Sequence, residues 1–300
     1  MSNHINEVYK LVTDKIIKAL EQGVIVWQQP WAGGNASGFI SHTNGNAYSQ
    51  LNSWLIALDG GEPGEYLTLQ QAHKEGGKIK KGAKSKMVVF FKRNVSYEKQ
   101  KNDEGEEIEV AILKGFTLRY YSVFHINDCE GIKPRYTATD KSQSTLTPIE
   151  SAEAVVNSYD EREKSLTIQR DKESAEAYFS FAKDLVVVPQ LGQYKDVNEY
   201  YSTLFHELAH STGVKSRCDR GLEKNAAFGS ENYSAEELVA EISSAMCIHR
   251  LSLNAEKAFK NSVAYIKGWS QYLKSDPKAI VFAASKAEKA VSYIFGDNNK

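Results

Sequence analysis

The spacing of apolar residues predicts helices at both ends of the chain. Residues 3–22 carry apolar side chains at helical spacing, and Gly23 ends the segment. These apolar positions are Ile5, Val8, Leu11, Val12, Ile16, Ile17 and Leu20. Residues 255–273 and 277–294 show the same periodicity, so they predict two closing helices.

An apolar run in the first half of the chain predicts a β-hairpin. Residues 87–91 are apolar without interruption, which is typical of a strand, and residues 116–126 predict its partner. Residues 98–109 between them are polar and charged, so they predict an exposed loop. Together with neighbouring helices, this pattern predicts a small α+β domain over residues 1–136.

A change in composition predicts where this domain ends. Residues 137–147, TATDKSQSTLT, are typical of a linker, and 300 residues are enough for two domains. A second domain is therefore predicted over residues 148–300. Within it the run DLVVVPQ, residues 184–190, precedes a predicted helix and is expected to form the edge strand of a sheet beside that helix.

That helix contains the residues with the clearest chemistry. Residues 200–213, YYSTLFHELAHSTG, hold His206, Glu207 and His210 in the order H-E-x-x-H. One helical turn is about 3.6 residues, so both imidazoles project from one face and can bind one Zn²⁺ ion. Glu207 is placed to take a proton from a metal-bound water, whose pKa the ion lowers to about 7. The motif predicts hydrolysis with one zinc per chain.

A catalytic zinc usually has a third protein ligand. The downstream segment YSAEELVAEISS puts Glu237 and Glu241 one turn apart on a helix face. This resembles the gluzincin arrangement, which implies Glu237 as ligand and Glu241 as the carboxylate that supports a ligand histidine. The exchanged roles are the alternative. We expect Glu236 to face solvent, and Tyr233 is a candidate for polarising a bound carbonyl.

The composition is that of a soluble globular protein with one basic segment. Hydrophobic residues make up 41% and charged residues 25% of the chain, and the net charge is −1. Residues 74–93, however, hold eight basic residues and one acidic residue, a local net charge of +7. Such a segment predicts a basic surface patch.

No pattern predicts a membrane or an exported protein. The sequence has no run of 18 apolar residues and no signal-peptide pattern. Cys129, Cys218 and Cys247 are far apart and odd in number, so they predict neither a disulfide framework nor a Cys-x-x-Cys metal site. We therefore expect a cytoplasmic protein.

Seven segments in one order resemble a known family, the ArdC-type antirestriction proteins of conjugative plasmids, whose N-terminal domain is shared with certain plasmid primases. The segments are VIVWQQPW, NGNAYSQLNSWLIAL, YLTLQQAHKEGGKIKKGAKSKMVVFFK, YYSVFHINDCEG, AYFSFAKDLVVVPQ, FHELAHSTG and FGSENYSAEELVAEI. The resemblance implies a single-stranded-DNA-binding domain joined to a zincin-like metallopeptidase domain. It also implies a role in protecting incoming plasmid DNA from restriction.

The residues offer a physical basis for that implied DNA binding. Single strands are held by a positive groove along the phosphates and by aromatic faces on which bases stack. Candidates for the groove are Lys78, Lys80, Lys81, Lys84, Lys86, Lys92 and Arg93. Candidates for stacking are Trp27, Trp31, Tyr48 and Tyr120. No helix-turn-helix, zinc-finger or RRM motif occurs, which favours binding without strong sequence preference.

The sequence thus predicts an antirestriction-type protein that binds single-stranded DNA and has a gluzincin-type peptidase domain. A DNA-bound protein such as a restriction enzyme is a candidate substrate. Two alternatives remain: a non-enzymatic DNA-protecting protein whose zinc is structural, and a general cytoplasmic metallopeptidase whose basic segment is incidental. Glu207 argues against a purely structural zinc, because such a site needs no base beside its ligand.

Overall fold

The computed structural model describes residues 2–29, 38–101, 107–136, 147–222, 231–259 and 263–297. The helices in these ranges are α1 (Ser2–Glu21), α2 (Gln50–Leu58), α3 (Leu69–Lys74), α4 (Pro148–Arg162), α5 (Val197–Ser211), α6 (Glu231–Arg250), α7 (Ala255–Ala258), α8 (Val263–Ser275) and α9 (Ala279–Phe295). The strands are β1 (Phe39–Ser41), β2 (Gly64–Thr68), β3 (Lys78–Ile79), β4 (Lys86–Lys101), β5 (Glu107–His125), β6 (Cys129–Glu130), β7 (Thr167–Gln169), β8 (Tyr178–Ser180) and β9 (Leu185–Val187). Across these ranges, no helix combines the length and the apolar character needed to cross a bilayer.

The first half contains a four-stranded sheet in the order β1-β2-β5-β4. β1 and β2 are parallel, and the other neighbours are antiparallel. The predicted hairpin is present as β4 and β5, but both strands are much longer than predicted and include most of the expected loop over residues 98–109. Charged residues occupy strand positions in the outer part of this hairpin, where Glu98 pairs with Val110 and Lys99 with Glu109. Polar composition alone therefore does not distinguish a paired strand from a loop here.

Helix α2 covers the outer edge of β4. The Asn52 side chain accepts a hydrogen bond from Val89 N–H (2.7 Å) and donates one to the Val89 carbonyl (2.9 Å), as a neighbouring strand would. Asp59 Oδ2 accepts from Met87 N–H (3.0 Å), and Lys86 Nζ donates to the Asp59 carbonyl (2.7 Å). The edge backbone is thus paired with helix residues, which protects it from pairing with another chain.

The second half contains a three-stranded sheet in the order β7-β9-β8. The run DLVVVPQ forms β9, which pairs with β7 on one side and β8 on the other. The expectation that it would be the edge strand is therefore wrong. Val186 and Val188 are fully buried, and an unbroken apolar run is typical of a strand covered on both sides. The edge strands are β7 and β8.

The two predicted domains share one hydrophobic core. Trp27 in the first half packs against Trp54 and also against Trp269 of α8, with both ring centroids 6.3 Å away. Thr13 Oγ1 of α1 donates to the Pro277 carbonyl (2.6 Å). Helix α9 packs against α2, α4 and α6, so it belongs to both halves. The domain limits at residues 136 and 148 stay a prediction, and the predicted linker lies outside the described residues except for Thr147, which caps α4.

Candidate functional site

Helix α5 presents its metal-binding motif on one side and packs the other side into the core. Its buried residues are Tyr200, Tyr201, Leu204, Phe205, Glu207, Leu208, Ala209 and Ser211. Asp196 caps the helix by accepting a hydrogen bond from Asn198 N–H (2.8 Å). His206 and His210 are four residues apart and face α6 across a cleft, where Glu237 meets them.

The three predicted ligands converge, and we call His206, His210 and Glu237 the triangle. His206 Nε2 and His210 Nε2 are 3.2 Å apart, His206 Nε2 lies 3.4 Å from Glu237 Oε2, and His210 Nε2 lies 3.4 Å from Glu237 Oε1. Ligands at about 2.0–2.1 Å from a tetrahedral zinc are separated by about 3.3–3.4 Å, so these separations are close to those around one zinc ion. The donor set therefore suits a divalent metal ion, and its use of these ligands stays a prediction.

The electrostatics of the triangle favour a cation. Burial alone would lower the pKa of His210, but the hydrogen bonds that its ring donates to the Glu236 and Glu237 carboxylates outweigh burial and raise that pKa to about 10. Burial alone would raise the pKa of Glu237, yet the two histidines hold it well below its usual range. The carboxylates of Glu236 and Glu237 thus favour a protonated His210, and a metal ion would have to displace a proton from this ring.

Glu207 is the carboxylate with the character of a proton acceptor. Its side chain is only 7% exposed, and burial raises its pKa despite the nearby histidines. The backbone N–H of Phe179 in β8 donates to it. A carboxylate with a raised pKa is better matched to accepting a proton near neutral pH than an ordinary glutamate.

Glu236 supports His210, which corrects the sequence prediction. Glu236 Oε1 lies 3.3 Å from His210 Nδ1, on the ring nitrogen opposite the predicted metal. The same carboxylate receives two hydrogen bonds from Arg220, from Nε (2.9 Å) and Nη2 (2.5 Å). The expectation that Glu236 faces solvent is wrong, because the Arg220 guanidinium folds back from the loop after α5 and neutralises it.

Glu241 does not have the supporting role that the sequence predicted. Among the described residues, its carboxylate accepts a hydrogen bond from Tyr265 Oη (2.9 Å) and contacts neither histidine. It lines a separate polar cavity of about 270 Å³ behind the metal centre, together with His206 and Glu207. The exchanged assignment, with Glu241 as metal ligand, is also contradicted, since Glu237 lies between the two histidine nitrogens.

A cleft of about 510 Å³ leads to the triangle. One wall is the edge strand β8 with Tyr178 and Phe179, and another is α6. Lys286 of α9 also lines the cleft and brings a positive charge to a site otherwise dominated by carboxylates. Tyr233, the candidate for polarising a carbonyl, has a side chain outside the described residues. Neither Arg220 nor Lys286 carries a local sequence signal, because each reaches the site from a distant segment.

The basic segment is exposed in part. Lys78 pairs with Glu130 (3.0 Å) and Lys80 donates to the Asn127 carbonyl (2.7 Å), yet both remain exposed. Lys81 and Lys84 are exposed, and the described residues include no ion pair for either. Lys86 is half-buried against the end of α2 and is less suited to a phosphate than predicted. The side chains of Lys92 and Arg93 lie outside the described residues.

The aromatic candidates for base stacking differ in exposure. Trp27 is fully buried in the shared core, so its prediction as a stacking platform is wrong. Tyr48 is half-buried against Tyr66, with ring centroids 6.5 Å apart, and burial raises its pKa to about 12. Tyr120 is 51% exposed and remains a candidate. Trp31 lies outside the described residues.

Two family models match successive parts of the chain. Residues 6–124 match the N-terminal domain of anti-restriction factor ArdC. Residues 158–286 match a zincin-like metallopeptidase domain. The second range contains the complete H-E-x-x-H helix and all the described residues that line the cleft.

Three relatives with 28–29% identity align with nearly the whole chain. DNA primase TraC of Escherichia coli is 29% identical over 305 residues, which is 97% of this chain and 27% of that protein. A second Escherichia coli TraC primase is 28% identical and is covered over 20% of its length. The uncharacterized protein y4eC of Sinorhizobium fredii is 29% identical over 294 residues, 96% of this chain and 91% of that protein. The chain thus spans about a quarter of the primases or less.

Solved structures of the antirestriction protein ArdC from the R388 plasmid have the same fold. The metal-free form matches with a TM-score of 0.64 and 29% identity, over 95% of this chain and 96% of that one. The Mn(II)-bound form matches with a TM-score of 0.68 and 27% identity, over 97% of this chain and 99% of that one. The protein thus has an ArdC-type N-terminal domain followed by a zincin-like metallopeptidase domain, in the order and fold of the ArdC antirestriction protein.

Proposed function

We propose that this protein binds single-stranded DNA and hydrolyses peptide bonds in a DNA-bound protein, with one zinc ion in the cleft. The observation that carries the enzymatic half is the triangle of His206, His210 and Glu237 with the buried Glu207 beside it. A restriction enzyme is the substrate class that an antirestriction role suggests. The proposed setting is the entry of plasmid DNA into a cell.

The residues of the cleft have separable roles in this proposal. His206, His210 and Glu237 hold the ion, which when bound lowers the pKa of water and polarises a carbonyl. Glu207 accepts the proton released by the attacking water and returns it to the leaving amine. Glu236 and Arg220 keep the His210 ring in the orientation that directs its Nε2 toward the ion.

The edge strand β8 supports a peptide as the substrate. Strands pair on only one side at the edge of a sheet, and an extended peptide can add itself to such an edge through backbone hydrogen bonds. β8 is at the edge of its sheet, and its residues Tyr178 and Phe179 line the cleft. A peptide alongside β8 would have its backbone next to Glu207, whose carboxylate already accepts from Phe179 N–H.

The DNA half of the proposal rests on the first half of the chain. Its match to the ArdC N-terminal domain and the relatedness to primases both support contact with DNA. Exposed lysines, among them Lys81 and Lys84, supply the positive charge that phosphates require. We expect preference for single strands over duplex, because the described residues contain no helix placed as a major-groove reader.

A second function has one observation in its favour. The shared core packs Trp27 against Trp269, so the zincin half also holds the first half in shape. The protein would then protect DNA simply by occupying it, and catalysis would be dispensable.

Comparison of wild type with Glu207→Gln distinguishes the two functions. The substitution preserves the shape of the side chain and the three ligands, so the variant should retain its metal. We expect metal-dependent cleavage of a DNA-bound restriction enzyme by wild type and at least about a hundredfold slower cleavage by the variant. If the variant protects DNA from restriction as well as wild type does, and neither protein cleaves, the non-enzymatic function is correct. His206→Ala is the control that loses the metal.

A further inference from the structure

A second cleft lies where the two halves of the chain meet. Its volume is about 330 Å³, residues of α2, β4 and α9 line it, and it shares no lining residue with the metal cleft. Three phenylalanines line it yet remain exposed: Phe90 by 53%, Phe91 by 39% and Phe282 by 42%. We call this feature the aromatic cleft.

Two of these phenylalanines form one patch. Phe91 and Phe282 contact each other, whereas Phe90, the neighbour of Phe91 in β4, projects from the other face of the sheet. Single exposed apolar side chains are common in soluble proteins, but a contiguous apolar patch beside a concavity marks a binding surface. The rings are also held in position: Phe282 packs edge-on against Phe91, with centroids 6.3 Å apart, and in a tilted arrangement against Tyr9 at 5.9 Å. The aromatic faces are therefore ordered before any ligand arrives.

The walls of the aromatic cleft are fixed by polar contacts. The Asn52 side chain bonds to both backbone groups of Val89, which ties α2 to β4. The Glu288 carboxylate of α9 accepts from the backbone N–H of Gln50, the first residue of α2. These contacts connect the three elements, so the cleft is a preformed feature of the interface between the two halves.

Positive charges flank Phe282 on both sides along the helix. Lys278 precedes Phe282 by four residues and Lys286 follows it by four, so all three lie on one face along α9. Lys278 and Lys286 are both exposed.

We propose that the aromatic cleft binds unpaired bases of single-stranded DNA, with the adjoining phosphates on Lys278 and Lys286. Stacking on aromatic faces flanked by cations is the mode by which proteins hold single strands without reading sequence. A duplex cannot use the site, because its bases are already stacked and paired. This inference rests on the proposed binding of single-stranded DNA and assigns that binding to a surface formed by both halves.

The location of the aromatic cleft places a bound DNA strand close to the metal cleft. Lys286 lines the metal cleft, while its neighbours Ser285 and Glu288 line the aromatic cleft, so α9 borders both sites. A strand stacked on Phe282 and bound by Lys286 therefore reaches the metal cleft. A protein that sits on that strand is thereby brought to Glu207 by proximity alone, without an allosteric change.

The test measures the binding of a fluorescent oligo-dT to full-length protein. Phe282→Ala and Phe91→Ala should each weaken the affinity by about 5- to 150-fold, the range for losing one stacked base. Leu191→Ala is the matched control, since Leu191 is 48% exposed and lines neither cleft. Equal metal content and equal unfolding temperature of the variants exclude misfolding as the cause. In a parallel arm, wild type is photo-crosslinked to an oligonucleotide that carries 5-iododeoxyuridine, and the attached peptide is identified by mass spectrometry.

The outcomes separate this inference from the proposed function. Weakened binding in both phenylalanine variants, with crosslinks in α9 or β4, supports the aromatic cleft as the DNA site. If wild type binds oligo-dT but Phe282→Ala and Phe91→Ala bind like Leu191→Ala, with crosslinks elsewhere, the inference is wrong and single-stranded-DNA binding stands. If these variants instead change only the molecular mass in solution, the cleft is a protein contact. If wild type does not bind oligo-dT at low salt, the DNA half of the proposed function is itself wrong.

Discussion

Glu236 Oε1 lies 3.3 Å from His210 Nδ1, on the side of the imidazole ring that faces away from the other two predicted ligands. An acceptor at Nδ1 keeps the proton on that nitrogen and leaves Nε2 free to bind a metal. Arg220 holds the same carboxylate through two hydrogen bonds. The relationship extends the metal site to a residue outside the H-E-x-x-H motif and to a loop that follows α5.

The first prediction tests that relationship. Glu236→Gln should lower the affinity for Zn²⁺ by about 10- to 100-fold, the usual effect of removing a carboxylate that orients a ligand histidine. Glu241→Gln is the control, because Glu241 bonds to Tyr265 and contacts neither histidine among the described residues. Competition with a chromophoric chelator measures both affinities. Equal losses in the two variants would contradict the assignment of Glu236 and restore the supporting role to Glu241.

A second prediction concerns the pH dependence of metal binding. The raised pKa of His210, about 10, means that a proton occupies the ring at neutral pH in the metal-free protein. A metal must displace this proton, so Zn²⁺ affinity should increase about tenfold per pH unit between pH 7 and 9. Isothermal titration in buffers of different ionisation enthalpy should detect about one proton released per ion. Affinity that stays constant over this range would mean that His210 is already neutral.

The same pKa shifts predict the stability of the metal-free protein. A histidine with a raised pKa stabilises the fold fully below its unfolded pKa of about 6.5, and this contribution is lost as the pH rises toward 10. The lowered pKa of Glu237 acts in the opposite direction, since its contribution is present above about pH 4.3 and is lost as the pH falls. From this cluster, we expect the metal-free unfolding temperature to be highest near pH 5–6. Glu237→Gln should remove that maximum, as measured by thermal unfolding across pH.

Much of the candidate site could be predicted because its ligands are spaced along helices. The spacing of four positions from His206 to His210 places both rings on one face wherever the helix lies. Glu237 could be proposed for the same reason, on a second helix. The role of Glu236 could not, because it depends on Arg220, which approaches from a separate loop. Local periodicity contains no information about such a contact.

Errors in the fold prediction have a related cause. The run DLVVVPQ was expected at a sheet edge because it precedes the metal helix, but its lack of alternation is the signature of a central strand. Trp27 was assigned to DNA because tryptophan stacks well on bases. It is instead buried against Trp269, and contact with a helix more than 200 residues away leaves no trace in the flanking sequence.

A third prediction concerns a buried cation that holds the turn after α5. Arg217 donates to Glu163 (2.7 Å), to both Asp184 oxygens (2.8 and 2.7 Å) and to the Ser211 carbonyl (2.8 Å). Its side chain is fully buried, so Arg217→Ala leaves two carboxylates without their partner and should cost about 3–5 kcal/mol of unfolding free energy. Urea unfolding measures the loss.

The control for Arg217 is an exposed pair of similar geometry. Arg250 and Asp297 also form two hydrogen bonds (2.6 and 2.8 Å), but both side chains are 39% exposed. Arg250→Ala should therefore cost less than about 1 kcal/mol for the ion pair. If the two substitutions had the same effect, burial would not be what makes Arg217 important.

The last prediction concerns the division of the chain. Residues 1–136 expressed alone should not form a stable monomer, because α1 and Trp27 would lose their packing partners in α8 and α9. Exposing an apolar face of this kind costs about 25 cal/mol per Å². When several large side chains are exposed, the total cost exceeds the marginal stability of a small domain. Circular dichroism and the elution volume of the fragment measure its folding and its association state.

Co-expression of residues 1–136 with residues 148–300 is the matched experiment. The two fragments should copurify, unfold together and bind oligo-dT, whereas either one alone should associate or remain unfolded. A fragment 1–136 that is monomeric, unfolds cooperatively and binds oligo-dT as tightly as the full chain would establish an independent domain, and α9 would then have no part in holding the strand.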